Sequence, residues 1–296
     1  MHIHALCLVK NENDVIEQTL RAAAEWCDWI YVLDNGSTDG TWDTVRGLGR
    51  ELAAVLPFKQ SCQAFSDSLR NGIFAAYKTN ASPGDWWCIL DADEFYIDPP
   101  RLFLEGVAAR FNSVWMQRYS YLFTDKDLAD YERDPRAFAR SAPIHTKLRH
   151  YVLGEYAEVR FFRHSDKITG IRSEHFFPAY PTRIRMKHFA YRSPDQIRLR
   201  LETRREPMLR GEFLHEKRSN WEPAGRIIPG PASPNDLPQS WRERVVPSSI
   251  CHLDRGDGRY VQAAPWDPPK GPRLKLFTRR RARAAFRKAV QVLMAT

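Results

Sequence analysis

An α/β fold built on an open, mostly parallel sheet is what this 296-residue sequence predicts, and three observations predict it. Apolar runs rich in strand formers alternate with segments of helical spacing from residue 3 to residue 90. Three of the four runs end in polar or acidic residues: Lys10-Asn11-Glu12, Asp34-Asn35, and Asp91 through Glu94. Ligands of such sheets bind beyond the carboxyl ends of the strands, and carboxylates gathered on one edge repel each other unless they serve something. The chain is also 43% hydrophobic over its 296 residues, enough for one large core or two smaller ones.

Residues 3–9 (IHALCLV) form the first strand. Asn11, Asn13 and Asp14 offer caps for a helix from Val15 to Trp26, with Ile16, Leu20, Ala23 and Ala24 on one face. Residues 29–33 (WIYVL) are the second strand, closed by the turn-rich Asp34-Asn-Gly-Ser-Thr-Asp-Gly40. A helix follows over 41–52, a strand over 53–58, and a helix over 65–79. The turn 82–85 leads into the fourth strand, 86–90 (WWCIL), which runs into Asp91-Ala-Asp-Glu94.

The second half is mixed. Residues 114–122 and 151–162 read as strands, 124–140 as an exposed helix, and 193–210 as a helix opened by Ser193-Pro194. Five prolines fall between residues 222 and 238, and a second cluster follows at 265–272; both read as irregular. Residues 274–294 form a basic helix candidate. The expected organisation is one domain over 1–210, divided near 120, followed by an extension over 211–296.

The net charge is +9, with much of the basic surplus after Arg133. Such a surface suits anionic ligands, acidic glycans, nucleic acid or an anionic membrane, and charge alone does not choose among them. No groove-reading motif is visible, so nucleic acid is not expected. The five cysteines match no zinc spacing and read as buried, reduced thiols. No apolar run is long enough to span a membrane and no signal peptide is visible, so a cytoplasmic protein is expected.

Asp91 and Asp93 carry the strongest chemical signal. Two carboxylates two residues apart, where a strand gives way to a turn, can both reach one hard cation such as Mg2+ or Mn2+. A cation there would bridge a diphosphate leaving group; the competing reading is a polar strand end facing water. Asp34 is placed to accept hydrogen bonds from a nucleoside, while Asp39 and Thr41 read as caps of the next helix.

Taken together, residues 5–41 (ALCLVKNENDVIEQTL…WIYVLDNGSTDGT) and 85–95 (DWWCILDADEF) resemble the family 2 glycosyltransferases, which have the GT-A fold. Arg70-Asn71-Gly72 is similar to that family's Arg-Asn-x-Gly segment, with the glycine one residue early. The Asp-Ala-Asp-Glu-Phe form resembles a subgroup of small bacterial enzymes. The resemblance covers residues 1–120 and fades afterwards. It implies a Rossmann-like GT-A sheet, a nucleotide-diphosphate sugar as donor (UDP being the family's commonest carrier), a Mn2+ or Mg2+ ion on Asp91 and Asp93, and inversion at the anomeric carbon. The acceptor it implies is a hydroxyl of a bacterial glycan or glycolipid.

On that footing Asp34, Asn11, Glu12, Arg70 and Asp91 are expected at the donor. Inversion needs a carboxylate base within reach of the acceptor hydroxyl. Glu174, before the aromatic run His175-Phe-Phe-Pro178, is the first candidate, with Glu94 and Asp166 behind it. His188 would complete the metal sphere, with His175 as its competitor, since imidazole suits Mn2+; a core histidine is the alternative. Lys187 and Arg192 would steady the diphosphate, or stand as solvated charges. The basic tail would either lie on the inner face of a membrane or pack on the domain with its charges in water. Two other readings compete. A nucleotidyltransferase would need a glycine-rich loop after the first strand, where the sequence has VKNENDV; a non-catalytic scaffold would have no need of Asp34, Asp91 and Asp93.

Overall fold

A computed structural model of the chain describes residues 1–154, 157–209, 213, 218–221, 227–229, 241–269 and 271. The expected Pro-rich segment at 222–238 and the basic tail at 274–294 lie almost wholly outside these residues.

The alternation in the first half folds as expected. The strands are β1 (Ile3–Val9), β2 (Trp29–Asp34), β3 (Val55–Gln60) and β4 (Trp86–Asp91), and the helices between them are α1 (Ile16–Ala24), α2 (Thr41–Glu51) and α3 (Leu69–Tyr77). β1 is buried at every position, as a parallel strand between two helical layers must be. β3, β2, β1 and β4 are parallel neighbours in that order. α1 and α2 cover one face through Ile16, Leu20, Val45 and Leu48. α3 covers the other through Ile73 and Phe74. The first helix is capped differently from the expectation. Val15 precedes it with no side-chain cap, because Asn13 is bonded to Asp39 and Asp14 to Arg192.

Beyond β4 come β5 (Glu94–Tyr96), α4 (Pro100–Glu105), β6 (Ser113–Tyr121), α5 (Asp125–Arg133), α6 (Ile144–Lys147), β7 (His150–Leu153), β8 (Val159–Arg163), β9 (Ile184–His188) and α7 (Pro194–Leu209). A separate pair, β10 (Arg218–Trp221) and β11 (Ile227–Pro229), is antiparallel, and β12 (His252–Leu253) ends the series. The run expected as one strand over 151–162 is two, and they pair with β6 at different places. α5 stops at Arg133 because Asp134 precedes a proline and leaves the helical region. β8, β6, β7 and β12 extend the sheet in antiparallel fashion, while β9 runs parallel to β6 and antiparallel to β5. β12 pairs with β7, so residues beyond 210 belong to the same sheet.

One buried group gives a stability prediction. His4 is fully buried between Trp29 and Trp87, each with ring centroids 4.6 Å away. Burial pushes its pKa from 6.5 down to about 4, against the pull of Asp85. Above pH 6.5 the imidazole is neutral folded or unfolded. Between 6.5 and 4 the unfolded chain takes up a proton that the folded chain refuses, so stability is lost as pH falls through that window. A fall in urea midpoint from pH 7 to pH 4.5 that is smaller in His4→Phe than in the wild type is expected. Equal falls in both proteins would exclude His4 as the source.

Candidate active site

The carboxyl ends of β1 and β2 are tied together by side chains. Asn11 adopts φ 55, a left-handed conformation that asparagine tolerates better than most residues. Its backbone N–H donates to Ser37 Oγ at 2.8 Å, and its Oδ1 accepts from Thr38 N at 2.8 Å. Its Nδ2 donates to Thr203 Oγ1 at 2.7 Å, which draws α7 over the strand ends. Asp39 and Thr41 serve the same junction. Asp39 accepts from Asn13 N and Thr41 N, each at 3.0 Å, and Thr41 Oγ1 accepts from Glu12 N at 2.9 Å. Asp34 is fully buried. Its Oδ1 accepts from Gly36 N, Ser37 N and Gln60 Nε2, whereas its Oδ2 has no hydrogen-bond partner. A buried carboxylate oxygen without a donor is costly, and a nucleoside hydroxyl or N–H would satisfy it.

The acidic motif at the end of β4 is met by arginines. Asp91 accepts from Arg70 through Oδ1 and from Arg160 through Oδ2, the latter at 3.1 Å. Burial resists its charge, but these two guanidiniums outweigh it and hold the carboxyl below the usual range. Arg160, on β8, also donates to Glu94 and lies 3.3 Å from Glu158. Asp93 stands 3.6 Å from His188 Nε2, 3.5 Å from Arg200 and 3.7 Å from Arg192. Burial opposes its charge too, yet His188, Arg200 and Arg192 carry its pKa down to about 2. Burial pushes the His188 imidazole down to about 3, so the ring is neutral and its nitrogen can act as a ligand.

A cavity of about 350 Å³ lies at these strand ends, lined among others by Asn11, Glu12, Arg70, Asp91, Asp93 and His188, with the buried Asp34 behind its neighbour Asn35 and outside the lining. Six expected site residues are therefore brought together. The wall over them is α7, through Arg200, Thr203 and Arg204, which sequence reasoning gave no role. The signal was the run of basic residues on that helix. Arg160 was also missed. A lone arginine inside the apolar stretch Val159-Arg-Phe-Phe162 signals a buried partner. Burial pushes the Glu12 carboxyl up to about 7, against Arg192 and Arg200.

Four expectations are corrected. Arg192 is buried and grips Asp14 at 2.7 Å, and also Glu12, so it braces the strand end from behind instead of meeting a diphosphate. Lys187 donates to Asp254 at 2.8 Å on the opposite face of β9 from His188. Glu94 is buried beneath the motif against Arg160 and does not line the cavity. Glu174 is half-exposed in a single helical turn, 3.8 Å from Arg172, and does not line it either. The other candidates also lie elsewhere: neither Asp166 nor His175 lines the cavity.

The donors fit a hard divalent cation in kind. Asp93 and His188 offer a carboxylate oxygen and a neutral imidazole side by side, and Asp91 keeps lone pairs beyond its two guanidinium bonds. Among the described residues no group of three His, Cys, Asp or Glu is gathered tightly enough to hold an ion alone. The remaining positions would fall to phosphate oxygens and water.

The model of glycosyl transferase family 2 matches residues 7–155. Among solved structures, the chain is similar to a mannosyltransferase from Pyrobaculum calidifontis in complex with GDP-Man and Mn2+. Identity is 14% and the TM-score 0.39, covering 71% of this chain and 64% of that one. It is also similar to S. aureus TarS 1-349 in complex with UDP, at 17% identity and TM-score 0.28, over 41% and 36% of the two chains. The chain thus spans less than two thirds of either. No curated protein matches it.

Proposed function

The chain belongs to glycosyl transferase family 2, and from that premise we propose that it transfers a sugar from a nucleotide-diphosphate donor to a hydroxyl of a glycan or glycolipid, with a divalent cation at Asp93 and His188. The observation that carries the reading is the cavity at the ends of β1 and β4, where a neutral imidazole, the carboxylates of Asp91 and Asp93, and Arg70, Arg200 and Arg204 meet. The orphaned Asp34 Oδ2 lies at the end of the neighbouring strand.

In this reading Asp34 takes a nucleoside hydroxyl or N–H. Arg200 and Arg204 face the diphosphate, where fixed guanidiniums stabilise negative charge that builds as the sugar leaves. Bound Mn2+ or Mg2+ would add Lewis-acid stabilisation of the same charge. Asp93 and His188 would hold it, with Asp91 kept in place by Arg70 and Arg160. The acceptor hydroxyl must lose a proton to a carboxylate within hydrogen-bond reach. The carboxylates that line the cavity are Glu12, Asp67, Asp91, Asp93 and Glu206, so the base is sought first among Glu12, Asp67 and Glu206.

A second reading has a specific observation behind it. Both oxygens of Asp91 accept from guanidiniums, as they would if Asp91 held arginines in place of a cation and Arg200 and Arg204 alone met the diphosphate. Incubation with UDP- and GDP-sugars, with Mn2+ or with EDTA, separates the two. Release of nucleoside diphosphate that requires the metal is the expected result. Release unaffected by EDTA would leave the arginine-only reading, and no release from any sugar nucleotide would remove the transferase reading.

A further inference from the structure

A second groove, of about 570 Å³, lies on the outer face of β6 and β9. In their parallel register Gln117 faces Arg185 and Tyr119 faces Lys187, while Ser120 faces His188. Side chains alternate across a strand, so Gln117, Tyr119 and Arg183 lie on the face opposite His188 and the transfer cavity. A strap over 258–266 borders the groove, fixed by Tyr119 Oη donating to Val261 O and Val261 N donating to Tyr151 Oη, each at 3.1 Å.

Three features bear on what this groove would hold, although Arg183 also donates to Ala264 O at 3.4 Å and Trp266 packs against Trp115. Gln117 is 4% exposed, and its Oε1 has no hydrogen-bond partner although its Nε2 donates to Gly154 O at 3.2 Å. A buried acceptor without a donor is costly, and a ligand hydroxyl would satisfy it. Arg183 lies over the ring of Trp266, 5.5 Å from its centroid. Among the described residues no carboxylate lies within ion-pair distance of Arg183 or Arg259, whereas Arg185 in the same groove is spent on Asp98 at 2.6 Å. Trp266 and Tyr260 present aromatic surface along the wall.

We propose that this groove binds an acidic oligosaccharide, a distal part of the acceptor chain, with a sugar hydroxyl on Gln117 Oε1, a carboxylate or phosphate on Arg183 and Arg259, and a sugar ring against Trp266. The combination selects that class. A pyranose has an apolar face for an aromatic wall and hydroxyls for a buried amide, and its acidic substituent meets guanidiniums that no described carboxylate reaches. A neutral glycan would leave both cations idle, and a phosphate ion alone would leave Gln117 and Trp266 idle. That the bound chain is the acceptor rests on the transferase reading above; that it binds does not.

The test therefore measures binding without any donor. A tetrasaccharide of galacturonate, titrated into the full chain by calorimetry, is expected to bind, with maltotetraose at least about tenfold weaker, a difference of 1.4 kcal/mol. Arg183→Gln and Gln117→Leu should each weaken the acidic ligand about tenfold or more with an unchanged circular dichroism spectrum, and Asp93→Asn should bind it as the wild type does. Absence of transfer by the wild-type protein with groove binding intact would sink the transferase reading and keep the groove. Equal affinity for maltotetraose, equal affinity of all variants, absence of binding, or capture of anionic phospholipid vesicles in place of the oligosaccharide would each overturn the proposal.

Discussion

Asp93→Asn is expected to lower sugar transfer by about 1,000-fold or more, because it removes the ligand charge through which a cation would stabilise several kcal/mol of developing negative charge. The substitution keeps the shape of the side chain. It also keeps the backbone bond in which Phe189 N donates to Asp93 O at 2.9 Å, so the near-ultraviolet spectrum should be retained. Some stability is lost, since Arg192 and Arg200 keep their charges beside a neutral amide. The diagnostic is a split. Nucleoside diphosphate should bind the variant no better with Mn2+ than without it, whereas the wild type should bind better with the metal. Turnover near that of the wild type would remove Asp93 from the chemistry and return the polar-strand-end reading of the motif.

Arg160→Met should be the most destabilising single change at the site. Arg160 is 4% exposed and touches Asp91, Glu94 and Glu158. Removing one partner of a buried pair and leaving its counter-charges costs about 3–5 kcal/mol. Asp91 keeps Arg70, but Glu94 loses its only ion-pair partner among the described residues. Burial already pushes the Glu94 carboxyl upward, so the variant should take up a proton there. Arg160→Met with Glu94→Gln should then recover a large part of the loss in urea denaturation. A double variant no more stable than the single one would mean that the cost lies in packing and not in the orphaned charge.

How far the sequence reaches depends on what each element answers to. The first half is legible because its strands are buried on both faces and its helices carry an apolar stripe, so local pattern and tertiary position agree. β9 is harder to read. Its Ile184-Arg-Met-Lys-His188 alternates, but its place between β5 and β6 depends on partners about 70 and 90 residues away. β5 and β12 are too short to carry a pattern. In the site, carboxylates that close strands are found from local sequence, since the sheet edge puts them together. Cations are not. Arg192 and Lys187 were expected at the diphosphate, yet their partners Asp14 and Asp254 sit 178 and 67 residues away. Arg200 and Arg204 reach the cavity on a helix tied across the fold, through Thr203 to Asn11 and through Arg200 to Asp93.

The central claim is that the cavity between the ends of β1 and β4 and α7 holds a nucleoside diphosphate. Isothermal titration of UDP, GDP, ADP and CDP into the full chain, each with and without Mn2+, tests it most directly. Saturable one-to-one binding of one of them, tighter with the metal and abolished by Asp34→Ala, is the result predicted. No binding of any of the four in the presence of Mn2+, by a protein whose fold is intact, would contradict it.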